Sequence, residues 1–277
     1  MSITFTMQGN NYTFDEPEYG YTSSVALAIH RAPVLPRGYA PWDDGSSFDV
    51  RTCNVTFIMN ATDANSLLGV WKDADKGRGV TGSLVLPSAS GFYPFGPDYG
   101  DAGTFGVRMI DLEPGPPLEE PWLYFRNTIR FVMTSHPAYG LPTQQAEGDL
   151  TIGAVSGLRY PPEFTSPEIR YAVATVLTRN GTPYTVDRLP SSDVYETTLN
   201  MVLRQNKAAA LLNHLVATVR ANNVTITDGG NGYLFGRSAG QGAALTCQWV
   251  NEVVNVRHRR FDEFEMPLTF YLTTVVS

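Results

Sequence analysis

Gly236-Arg237-Ser238-Ala239-Gly240 fits the Gly-x-Ser-x-Gly pattern that holds a serine nucleophile on a strand-to-helix turn. That chemistry needs an acid and then a histidine base further along the chain. Between Ser238 and His258 the only acid is Glu252, and the residues after the elbow read as a strand rather than a helix. The motif therefore reads as a turn, no catalytic residue is assigned, and the chain is not expected to be an enzyme. The stretch DADKGRG, 73–79, opens like a calcium loop, but its sixth position is Arg78 rather than glycine and its twelfth is Leu84 rather than a bidentate glutamate. His30, His136, His214 and His258 are scattered without metal-ligand spacing, and Cys53 and Cys247 sit inside apolar runs as buried free thiols. No metal, cofactor or small-molecule substrate is expected.

Two groups of residues suggest contact rather than catalysis. Arg257, Arg259 and Arg260 run straight into Asp262 and Glu263, and such adjacent opposite charges favour salt-bridged interfaces over a nucleic-acid patch. The stretch 30–48 carries Arg31, Arg37, Trp42, Asp43 and Asp44 and is long for a hairpin tip, so it reads as a contact arm.

The elements that position these residues come twice. Shifting the chain by 144 positions lays DVRTCNVTFIMNATDANSLL, 49–68, on DVYETTLNMVLRQNKAAALL, 193–212, without a gap. Each copy changes from an apolar β-branched run to a helical stripe, Ala64, Leu67, Leu68 and Trp71 in one and Ala208, Leu211, Leu212 and Leu215 in the other. This predicts helices over 62–71 and 206–220, with Thr62 and Asn206 as N-caps. Upstream, GNNYTFD matches GTPYTVD; downstream, GFYPFG echoes GYLFG, and FRNTIRF echoes FEMPLTF. The duplicated aromatics point to core packing or a subunit seam rather than a sugar platform. The expected organisation is a first domain over 1–135, with 30–48 as an insertion lacking a counterpart, a Pro/Gly-rich linker over 136–169, and a second domain over 170–277.

Composition bounds the rest. The 277 residues are 43% hydrophobic and 17% charged, enough for one large or two medium cores, and the net charge of −7 argues against a nucleic-acid groove. No run approaches a membrane span and the first residues lack the pattern of a secretory signal, so a cytosolic origin is expected.

Strands, one flanking helix and further strands, in tandem and without catalytic residues, resemble the tail-tube fold of bacteriophages. The resemblance implies a mainly β chain with one helix per repeat, built as two tandem tail-tube-like β-sandwich or barrel domains. It implies a virion protein of the tail, as tube, distal adaptor or baseplate hub, made in the host cytoplasm. The implied partners are further copies of the chain, neighbouring tail proteins, and DNA that passes without specific binding. Three two-domain chains would make a pseudo-six-fold ring. The channel wall is expected to be neutral to acidic, with the arginine clusters at subunit contacts away from it. The rival reading is a carbohydrate-binding or adhesion protein with two sandwich modules, centred on Trp42, Asp43 and Asp44.

Overall fold

The computed structural model describes residues 3–14, 17–18, 20–27, 29–34, 38–43, 49–73, 80–118, 123–164, 168–170, 173–177, 183–187, 194–220, 222–229, 234, 244–260 and 262–273; within 29–43 and 163–195 it describes the backbone course alone. The chain opens with a hairpin, β1 (Ile3–Met7) and β2 (Asn10–Phe14), followed by β3 (Thr22–Ala26). A second hairpin, β4 (Ile29–Val34) and β5 (Gly38–Asp43), leads to β6 (Val50–Asn60) and helix α1 (Ala61–Lys72). Then come β7 (Thr81–Leu86), β8 (Gly103–Pro117) and β9 (Tyr124–Ser135).

The later half begins with the short strands β10 (Leu150–Ile152), β11 (Val155–Leu158), β12 (Glu163–Phe164) and β13 (Glu168–Arg170). The hairpin β14 (Val173–Leu177) and β15 (Pro183–Asp187) precedes β16 (Val194–Arg204) and helix α2 (Gln205–His214), which ends in a π-helical turn, Leu215–Val219. β17 (Asn223–Thr227), β18 (Ala244–Trp249), β19 (Val253–Arg260) and β20 (Glu263–Leu272) complete the chain. The fold is mainly β: one large antiparallel sheet of 16 strands, with β4–β5 and β14–β15 as separate two-stranded ladders.

The pairings follow one another in the same sequence in each half. β3 pairs β6, β6 pairs β9, β9 pairs β8, β8 pairs β7, and β7 pairs the β1–β2 hairpin. Likewise β12 and β13 pair β16, β16 pairs β20, β20 pairs β18 and β19, β18 pairs β17, and β17 pairs the β10–β11 hairpin. The registers correspond as well. Met59 faces Phe125 and Cys53 faces Phe131 in one half, while Leu203 faces Phe264 and Thr197 faces Phe270 in the other. The halves join where β3 pairs β19.

Period-two patterning explains the layers. Along β6, Arg51, Cys53, Val55, Phe57 and Met59 are buried while Thr52, Asn54 and Thr56 point to the opposite face. The first half packs around aromatics, with the Phe14 and Phe57 rings stacked at 4.4 Å and Phe131 edge-on to Phe5 at 5.3 Å. The second half packs around aliphatic residues and Trp249, and it also takes in Val25 and Leu27 from β3 and the residue following it. Each such side chain contributes roughly 1.5–3 kcal/mol by leaving water.

Several expectations are corrected. Asn60, not Thr62, caps α1: its Oδ1 accepts from the Asp63 N–H at 2.8 Å. Asn206 lies inside α2, where the Gln205 N–H donates to the Asp262 carbonyl and carboxylate at 3.1 and 3.2 Å. A cap can thus come from a distant turn, which local spacing does not reveal. The stretch 136–169, expected as a linker, carries β10, β11, β12 and the start of β13. The hairpin beside β17 is β10–β11, so β14–β15, matched by sequence to β1–β2, stands instead where β4–β5 stands, ahead of the long strand. The stretch 30–48 therefore does have a counterpart hairpin. Alternating apolar strands look alike in sequence, and only pairing tells one hairpin from another.

Candidate functional site

The face of the sheet that points away from the buried clusters is polar across both halves. Hydroxyl pairs run along it, Ser24 with Thr52 at 2.6 Å, Thr56 with Thr128 at 2.9 Å and Thr198 with Thr269 at 2.9 Å. A single row crosses six strands in register: Asp111, Arg130, Asn54, Thr22, Arg257 and Glu265. Each arginine in it has an acid on its outer side. Thr22, Asn54, Asp111, Arg130 and Asn255, from five adjacent strands, line a hollow of about 300 Å³, so the face is concave there. Two further arginines on it have ion-pair partners, Arg126 with Glu18 at 2.6 Å and Arg259 with Glu265 at 3.7 Å.

Behind this face the two halves are locked together. Arg51 and Asp98 form a bidentate ion pair at 2.8 and 2.7 Å, both side chains buried, and Arg51 also donates to the Phe95 carbonyl and lies 4.2 Å over the Tyr99 ring. That pair fixes the stretch 90–100, whose Phe92 and Phe95 are buried. The same stretch reaches the second half: Tyr93 packs edge-on to Phe264 at 5.1 Å, and Gln205 donates to the Pro97 carbonyl at 3.2 Å. Tyr21 packs on His258 at 4.9 Å, and burial pushes its hydroxyl well above the usual phenol range. Burial likewise raises both thiols, Cys53 and Cys247, leaving them unreactive.

The structure separates the residues singled out by sequence. Arg257 and Arg259 alternate outward along β19 on the polar face, and Arg260 is exposed at its end. Strand period alone sets their direction, so a channel wall formed by this face would carry these arginines, against the expectation that they stand away from such a wall. Glu263 pairs with Arg159 at 3.5 Å, and Asp262 serves α2. Arg31, Trp42 and Asp43 fall on β4 and β5, whose side chains lie outside the description, and Arg37, Asp44 and Gly236–Gly240 lie outside the described residues. Asp111, Arg130, Asn54 and Thr22 were not foreseen; their signal was the polar half of the alternation in β3, β6, β8 and β9.

Among the described residues no cluster of three His, Cys, Asp or Glu could hold a metal ion, and no helix is long and apolar enough to cross a membrane. No protein-family model and no curated protein matches the chain.

Proposed function

We propose that the chain is a structural, ring-forming protein of a bacteriophage tail, with the concave polar face of its sheet turned toward the DNA channel. In this reading the halves are tandem copies of one tail-tube-like unit, better divided near residue 148 than at a linker ending at 169. Three chains then present six units around the ring. The observation that carries it is the continuous polar face spanning both halves, opposite the helices, with one register of pairing repeated on each side of the β3–β19 joint.

The charge pattern suits passage rather than capture. Fixed cations hold phosphates by releasing counterions, so a wall of unopposed arginines would retard DNA. Here acids accompany the arginines, Asp111 beside Arg130 and Glu265 beside both Arg257 and Arg259. Negative-stain images of the purified chain should show rings with a central hole and three chains each, or stacked rings after assembly. A chain that stays monomeric at all concentrations and in the virion preparation would sink the proposal.

A further inference from the structure

The joint inside the chain has two unmatched ends of the same kind. β19 meets β3 with Val254 opposite Val25, Asn255 opposite Ser24 and Val253 opposite Ala26. The His258 N–H donates to the Tyr21 carbonyl and the Leu27 N–H to the Glu252 carbonyl, so the even-numbered residues of β19 aim their backbone groups at β3. At one end of the molecule, β13 lies on β16 as β3 lies on β6. Glu168 faces Glu196 and Arg170 faces Val194, as Ser24 faces Thr52 and Ala26 faces Val50. No described strand covers the other edge of β13. At the opposite end, β7 stops with Thr81 opposite Arg108, and β8 continues to Pro117 with β9 on one side and no described strand on the other. This outer part of β8 accompanies β9 as β19 accompanies β20, placing Asp111, Leu112 and Glu113 where Val253, Val254 and Asn255 stand.

We propose that these ends join one copy of the chain to the next: β13 adds to the outer part of β8 of a second copy, with Ile169 opposite Leu112 and Arg170 opposite Asp111. The proposal rests on the ring reading and names the joint that closes it. Three observations favour a second copy as the occupant. The ends are complementary, because each carries the half of the internal joint that the other lacks. Prolines confine the pairing: Pro114 and, after a register shift, Pro117 hold the places of Val256 and His258, and Pro167 directly precedes β13, so a ladder of about three residues is left and other strands are discouraged. The helices differ as such a joint requires. Leu212 on α2 is fully buried with Gly96 of the first half packed near it, whereas Leu68, at the same place on α1, is only half-buried.

Asp111 and Arg170 would form a non-hydrogen-bonded pair, whose Cα separation of about 4.5 Å suits a disulfide. Asp111 is exposed, so its replacement does not endanger the fold. Under oxidation, Asp111→Cys mixed with Arg170→Cys should give covalent dimers that neither variant gives alone, and the double variant should give closed covalent rings. Glu168→Gln, which removes a like charge facing Glu113, should assemble at a lower concentration than the native chain. Rings that form without these cross-links, or a Glu168→Gln variant that assembles less readily, would overturn the joint and leave the ring reading standing. A chain that neither cross-links nor forms rings would overturn both.

Discussion

Arg51 and Asp98 form the residue-scale contact on which the join between the halves rests. Their side chains are 2% and 3% exposed, and removing one partner strands the other charge away from water. Asp98→Ala should therefore cost about 3–5 kcal/mol, read by chemical denaturation, while Arg51→Met combined with Asp98→Leu should cost markedly less. Equal losses for the single and double variants would show that packing, not charge, governs the site. His214 offers a second residue-scale test. Its Nε2 accepts from the Ala154 N–H at 3.3 Å, and burial lowers its pKa below the ordinary 6.5. The sign follows from that lowering: the neutral form is favoured in the fold, so stability is full above 6.5 and falls as pH drops toward the folded-state value. His214→Gln should lose that part of the pH dependence, seen as a smaller fall in melting temperature between pH 7 and about 5.

The two helices show how the same element can meet different surroundings. Ala208, Ala209, Ala210, Leu211 and Leu212 are all buried in α2, whereas α1 buries only Ala64 and Leu67. The difference comes from what lies over each helix. The Lys207 ammonium donates to Gln144 at 3.2 Å and to the Ser156 carbonyl, and Asn206 donates to the Thr143 carbonyl, so the stretch 143–156 wraps α2. Leu212→Ala should cost about 2–5 kcal/mol in the isolated chain and Leu68→Ala clearly less, measured side by side in urea. Comparable costs would mean that α1 is as enclosed as α2.

The charge balance of the concave face is a property of the whole molecule. Asp111→Asn together with Glu265→Gln would leave Arg130, Arg257 and Arg259 without their neighbouring acids. DNA retention by the assembled protein should then rise, and its dependence on salt should steepen, because each unopposed arginine releases a counterion on binding. Measured at about 0.15 M salt, native assemblies should retain little DNA. If the native assembly already binds DNA tightly at that salt, the face grips nucleic acid and the conduit reading fails.

Local pattern was enough to specify the long strand and helix that recur at 50–72 and 194–214, since a change from period two to period 3.6 is written in neighbouring residues. It was also enough to match Phe125–Phe131 with Phe264–Phe270, whose partners on β6 and β16 correspond. Pairing partners were not legible. The segment YTV of β15 resembles YTF of β2, yet β2 lies beside β1 in the large sheet while β15 stands in a separate ladder with β14. The strands of 150–170 are two to four residues long, too short to show a period, and they exist because β16 and β17 offer edges to pair with. The polar face has the same origin. Thr22, Asn54, Arg130 and Arg257 are ordinary surface residues one by one, and only the register of strands far apart in sequence, fixed by burying the other face, sets them in one row.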